Sequence, residues 1–155
     1  MNSILITQDG NDGAMALLSI ADLRLALPQH EICALESATD IDVDETKPLS
    51  VGWVHFRQER WPVYCLSPEL TLLVIVPKAR RSCAVLDTGA VYLGILCDEA
   101  AFGIQPTLER QQPLPPAMRT PGSPIAGLIA LEEDDVACAT NTARLVEYLN
   151  HQVNV

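Results

Sequence analysis

Residues 52–66 read GWVHFRQERWPVYCL. Two runs rich in aromatic and β-branched residues, 51–56 and 61–66, flank Arg57-Gln58-Glu59-Arg60. Such runs suit a pleated, half-buried surface, and the polar stretch between them predicts a turn. Alternation places Trp53 and His55 on one face of the first strand, with Val54 and Phe56 on the other. In the second strand Trp61, Val63 and Cys65 oppose Pro62, Tyr64 and Leu66. Pro62 has no amide proton to give to a ladder, so it is expected at an edge or a bulge. Both tryptophans of the chain lie in this stretch. They are expected either to stack across the hairpin as core or to leave one ring as an interface anchor.

Outward from this hairpin the chain reads as short strands joined by tight turns. Residues 15–20 and 23–27 flank Ala21-Asp22, and Leu23, Leu25 and Leu27 alternate with Arg24 and Ala26. That period predicts a second hairpin, which Pro28 ends, with 31–36 continuing as strand after a bend. Before it, residues 1–14 hold Asp9-Gly10-Asn11-Asp12-Gly13 and read as a flexible lead. Residues 40–47 form an acidic loop closed by Pro48. Beyond the central hairpin, Ser67-Pro68 is an acceptable helix start, and 70–76 suits helix or strand equally. Residues 81–86 and 90–97 flank Asp87-Thr88-Gly89, a further hairpin signal. Residues 112–124 contain five prolines and read as a surface connection. Residues 125–131 and 136–139 flank a turn at 132–135, and Asn141 can cap a helix through Asn150. In that helix Leu145, Val146 and Leu149 face inward. Many short strands followed by one helix predict a mainly β fold built from small barrels.

With 155 residues, 48% of them apolar, the chain suits one domain or two small lobes sharing an interior. No apolar run approaches the roughly 18 residues of a membrane span, so no direct membrane insertion is expected. No basic flank precedes an apolar stretch at the N-terminus, so no signal peptide is expected. Five cysteines without a C-x-x-C pair then point to reduced thiols in a cytoplasm. A net charge of −10 argues against a nucleic-acid partner, whose phosphates it would repel.

The chemistry-bearing patterns are few. The three histidines and five cysteines show one close pair, His30 and Cys33, so no metal or cofactor is expected. No G-x-S-x-G, P-loop or G-x-G-x-x-G occurs. Val85-Leu86-Asp87-Thr88-Gly89-Ala90 matches the active-site string of retroviral-type aspartic proteases, where carboxylates from two subunits share a proton. Ile125-Ala126-Gly127 is a loose counterpart of the apolar-apolar-Gly segment such enzymes need downstream. The same Asp-Thr-Gly is ordinary turn chemistry between two strands.

As an ordered set, the segments resemble the CheW family of chemosensory adaptors. Gly52, Val54, Arg57, Pro62, Val63 and Leu66 fall at the spacing of the family segment G-V-I-N-L-R-G, three residues, P-V-x-D-L. Residues 91–99, VYLGILCDE, resemble V-G-L-x-V-D-E at Gly94, Leu96, Asp98 and Glu99. Gly127 and Leu145-Val146 match the closing hairpin and helix, and residues 18–28 resemble the opening hairpin. The chain departs from the pattern at His55 for Asn, Gln58 for the turn Gly, Cys65 for Asp, and Asn141 for Asp. A turn glycine permits positive φ, so Gln58 predicts another turn or strain of about 1 kcal/mol.

The resemblance implies two SH3-like five-stranded β-barrel lobes packed together and tied by a short C-terminal helix. The CheW-like domain would span residues 15–150, with a lead at 1–14 and a tail at 151–155. It implies an adaptor without catalytic residues or cofactor. Such a protein couples the cytoplasmic domain of a chemoreceptor to the regulatory domain of a CheA-type histidine kinase. The partner-binding residue carried over is Arg57, with His55 and Gln58 beside it. Gly52, Pro62, Gly94, Asp98 and Gly127 are the expected structural positions. The departures at 55, 58 and 65 leave open a CheW-fold interaction module with an unrelated partner.

Overall fold

The structure, a computed structural model, describes residues 4–5, 13–43, 47–106 and 110–153. Among the described residues, thirteen strands make two sheets, and one α-helix follows them. The first sheet contains β1 (Ile4–Leu5), β4 (Ile32–Ser37), β5 (Gly52–Phe56), β6 (Glu59–Leu66), β8 (Ser82–Asp87) and β9 (Tyr92–Cys97). Its order is β1-β4-β8-β9-β6-β5, and β7 (Leu72–Leu73) pairs with the far end of β6. The second contains β2 (Met15–Ile20), β3 (Leu23–Pro28), β10 (Glu99–Ile104), β11 (Gln111–Pro113), β12 (Gly127–Ala130) and β13 (Val136–Ala139), in the order β10-β2-β3-β13-β12-β11. The helix α1 spans Thr142–Val153. The expected mainly β architecture of two lobes and a C-terminal helix is present, with sheets of seven and six strands.

Why these runs fold as strands follows from what each face meets. In β2, Ala16, Leu18 and Ile20 are fully buried between the lobes, and Met15 and Leu17 turn to a small interior of the second lobe around Ala26, Ile129 and Ala137. The strands β6, β8 and β9 are buried on both faces. Tyr64, Leu66, Ala84, Leu86, Leu93 and Ile95 enter the inter-lobe core. Their neighbours Val63, Cys65, Cys83, Val85 and Leu96 enter the interior of the first lobe. Doubly buried strands read as continuous apolar runs because neither face can accept a polar residue cheaply. On α1, Leu145 and Leu149 are buried against the inter-lobe core and Val146 packs beside them. Burying a leucine there contributes about 1.5–3 kcal/mol. Asn141 caps the helix, its Oδ1 accepting the Arg144 amide at 2.8 Å.

A bulge at Cys33 shifts the register of β4 on β8, from Ile32 opposite Leu86 to Ala34 opposite Val85. Residues two apart normally share a face. The extra residue instead sends Ile32 into the inter-lobe core and Ala34 into the first lobe.

Several elements differ from the sequence-based expectation. Ser67-Pro68 starts no helix. The Ser67 hydroxyl accepts the amides of Glu69 (3.2 Å) and Thr71 (3.1 Å), closing a turn with Leu70 at φ 67°. Of residues 70–76 only Leu72–Leu73 is strand, and Val74 and Ile75 are exposed. Ile4–Leu5, within the segment read as a lead, pairs with β4. Gln111–Pro113, at the start of the proline-containing connection, adds a strand to β12. The helix runs past Asn150 to Val153, and Pro62 lies in an interior strand. There it faces Trp53 of β5, and the parallel pairing of β6 with β9 begins only at Val63. The acidic loop is described only in part, residues 44–46 lying outside the described set. Among the described residues, no helix is long and apolar enough to cross a membrane.

Two glycines sit where backbone or side chains leave no room. A Cβ on Gly52 would lie 2.5 Å from the Asp42 carbonyl oxygen. One on Gly94 would lie 2.6 Å from Cys83 Sγ and 3.0 Å from Val63 Cγ2. Gly94→Ala is therefore expected to lower stability by about 1–3 kcal/mol through overpacking, measured as a shift in urea midpoint.

The core thiols resist ionisation. Burial raises Cys83 well above its usual range, and burial with the nearby Asp98 carboxylate pushes Cys97 up to about 12 from 9.0. Folding thus holds a proton that the unfolded chain releases near pH 9. Stability is complete below that pH and falls as pH rises above it, by about 1.4 kcal/mol per pH unit for each such thiol. Denaturation from about pH 8 to about pH 11 should show this decline, with a smaller slope in Cys97→Ala.

Candidate interaction site at the central hairpin

Register pairs Phe56 with Glu59, so the turn is the two residues Arg57 and Gln58, shorter than the four expected. Both have positive φ, 50° and 67°. Two left-handed residues in a two-residue loop define a type I′ turn, the form whose twist matches the flanking strands. The turn that a glycine would favour is thus kept without one, at about 1 kcal/mol for each left-handed residue.

Beneath the turn lies an aromatic cluster. Tyr92 meets Phe56 edge-on at 4.9 Å between centroids and Trp61 at 5.2 Å. Trp61 Nε1 donates to the Phe56 carbonyl at 2.9 Å. The exposed Arg57 guanidinium lies 5.3 Å from the Phe56 ring centre and 5.9 Å from that of Tyr92. Cation–π attraction at these distances contributes about 0.5–1 kcal/mol at an exposed site and fixes where the charge sits. The tryptophans do not stack on each other. Trp53 faces Pro62 and Trp61 faces Val54, so the two rings leave opposite faces of the hairpin.

His55 is exposed, opposite Arg60 in the register. His55 Nε2 and Arg60 Nη1 each lie 3.8 Å from Asp42 Oδ2, and the Arg60 guanidinium covers the Trp53 ring at 4.6 Å. Asp42 is held in place by a two-way backbone bridge to Trp53, at 2.9 and 2.7 Å. Gln58 is exposed at the tip. The structure therefore brings His55, Arg57 and Gln58 to one end of the first lobe. Gly52 and Pro62 stand further along the same hairpin.

Asp98 serves a different purpose. Its Oδ1 lies 2.5 Å from Nη1 of Arg80, which is only 4% exposed, and its Oδ2 accepts the Ala21 amide at 3.1 Å. Arg80 also donates to the Leu66 carbonyl at 3.0 Å. One ion pair thus joins the ends of β6 and β9 to the β2–β3 turn across the lobe boundary. Nothing in the sequence pattern singled out Arg80 from Lys78 and Arg81. Gly127 is in the second lobe, where a Cβ would come within 2.9 Å of the Gln112 carbonyl oxygen.

The aspartic-protease string takes the turn role. Asp87 is exposed and its Oδ1 accepts the Gly89 amide at 2.8 Å, while Thr88 Oγ1 donates to Val91 O at 2.7 Å. Gly127 of the downstream segment belongs to the other sheet. Among the described residues, no group of three or more His, Cys, Asp or Glu could hold a metal ion. Cys33 donates to the Val85 carbonyl at 3.3 Å, and burial followed by the Asp87 charge pushes its thiol up to about 11.

Two β lobes sharing one core, closed by a C-terminal helix, define the fold class of CheW-type scaffolds. Among solved structures, the crystal structure of the scaffolding protein TtCheW from Thermoanaerobacter tengcongensis matches with a TM-score of 0.66. The identity is 15%, and the match covers 83% of this chain and 88% of that chain. No family model and no curated protein matches the sequence.

Replacing the strained tip tests the turn. Gln58→Gly should raise stability by about 1 kcal/mol, because glycine adopts the positive φ without a Cβ clash. Thermal and urea unfolding would both register it.

Proposed function

We propose that the protein is a non-enzymatic, cytoplasmic adaptor of a chemosensory pathway. It couples the cytoplasmic domain of a chemoreceptor to the regulatory domain of a CheA-type histidine kinase. The observation that carries this reading is the match of 83% of the chain to the fold of a scaffolding protein. The central hairpin supports it, since its spacing resembles that of the adaptor family and its tip presents Arg57. A guanidinium held near Phe56 and Tyr92 loses less freedom when it engages a partner. Forked contact with a carboxylate or backbone carbonyl on a receptor helix is the interaction this geometry suits. His55 and Gln58 flank the same contact. The adaptor acts by assembly: one surface holds the receptor, another holds the kinase, and joint binding biases kinase activity.

Purified receptor cytoplasmic fragment and kinase regulatory domain, titrated separately, test the proposal. At least one should bind with a dissociation constant of about 50 µM or tighter. Arg57→Glu should weaken the receptor interaction about tenfold or more, with folding unchanged by circular dichroism. If neither binds, and a pull-down from the native cell recovers neither class of protein, the coupling role is excluded. Recovery of some other partner through the same hairpin would favour a CheW-fold module with an unrelated partner, the reading that the changes at 55, 58 and 65 leave open.

A further inference from the structure

A cleft of about 360 Å³ opens between the β5–β6 hairpin, the β8–β9 turn and α1. Its walls include Trp53 and Pro62 on one side and Val91 and Tyr92 on the other. Leu149 and Tyr64, both part of the inter-lobe core, also line it. Small-molecule sites run from about 300 to about 1,000 Å³ and combine apolar walls with a few convergent polar groups.

The charge of the cleft opposes that of the chain. The protein has 20 acidic and 10 basic residues, yet Lys47 and Arg60 line the cleft, and among the described residues no Asp or Glu does. Arg60 stands over Trp53, and its 3.8 Å approach to Asp42 is too long for a hydrogen bond. Asp42 thus offsets part of its charge without taking up its N–H groups in a hydrogen bond. Lys47 has no ion-pair partner among the described residues. Tyr64 is buried and brings a phenol hydroxyl, a hydrogen-bond donor, to the cleft lining.

We infer that this cleft binds a small planar organic anion, an aromatic carboxylate, with its ring against the aromatic wall and its carboxylate on Arg60 and Lys47. Arg57 does not line this cleft, although Tyr92 belongs to both places, and the inference does not rest on the adaptor reading. Aromatic rings suit walls of Trp, Tyr and Pro, and a carboxylate suits the guanidinium fork.

Trp53 stands in the cleft wall, and Trp61, although its ring leaves the other face of the hairpin, is also among the lining residues, so tryptophan emission reports on occupancy chiefly through Trp53. Sodium benzoate titrated into the full chain should change that emission along a saturable curve. Benzamide, which is neutral and of similar shape, should bind about tenfold or more weakly. Arg60→Gln should reduce benzoate affinity about tenfold. Lys47→Gln, on a loop, should reduce it severalfold and serves as the second variant if Arg60→Gln unfolds. Arg119→Gln, remote from the cleft, should leave it unchanged. No saturation by about 10 mM benzoate overturns the inference. So does equal binding of benzamide, unchanged affinity in a folded Arg60→Gln, or capture of an acidic peptide but not of benzoate.

Discussion

Three strands, β6, β8 and β9, carry apolar side chains into two interiors at once, and the remaining structure is arranged to make that possible. A strand buried on both faces must have a second layer on each side. Here one layer is the rest of the first lobe, and the other is β2, β3 and α1. The two lobes therefore do not merely touch. They share a core in which Leu66, Leu86 and Ile95 of one sheet meet Leu18, Leu25 and Leu145 of the other lobe and the helix. Close packing of this kind explains why Gly94 admits no Cβ and why the Cys83 and Cys97 thiols stay neutral.

At the lobe boundary one polar contact is buried along with the apolar ones. Arg80 has its charge matched by Asp98 and its remaining reach spent on the Leu66 carbonyl, although its Nε has no partner. Removing one member of a buried ion pair typically costs about 3–5 kcal/mol, because the other is left uncompensated. The pair also holds the Ala21 amide, in a turn whose residue has φ 54° without being glycine. A weak local turn is thus stabilised by a carboxylate from far along the chain, which is information that local sequence chemistry does not carry.

Much of the fold was legible because strand signals were local. Leu23, Leu25 and Leu27 alternated with polar or small residues, and Asp87-Thr88-Gly89 marked a hairpin through turn chemistry that the structure uses. The ordered family-like segments supplied what no single motif could, namely the two-lobed arrangement. Other features were illegible for physical reasons. At Ser67 the hydroxyl has the same bonding options in a turn as at a helix start, and tertiary pairing of Leu72–Leu73 with β6 decided between them. The Arg57–Gln58 turn holds two left-handed residues that intrinsic preference disfavours, so a four-residue loop was the natural reading. The faces of the tryptophans depended on register, and one residue of shift in the turn exchanges cross-strand partners. The aromatic cleft was invisible because Trp53, Val91 and Leu149 are brought together only by the packing of three separate elements.

The parallel pairing of β13 with β3, Cys138 beside Leu25, joins strands far apart in the sequence. The second lobe takes its first hairpin from residues 15–28 and its remaining strands from residues 99–139, with strands β4 to β9 of the first lobe between them. Contacts of such long range are made late, after the loop they close has been ordered. During synthesis, β3 emerges with an open ladder edge long before β13 exists. The charged Arg24 on β3 is later matched by Asp135 at 2.9 Å, and until then it keeps a charge on that waiting edge. Charges on open edges discourage pairing with other chains. An ion pair of little value in the finished molecule thereby gains its use in the interval before the lobe closes.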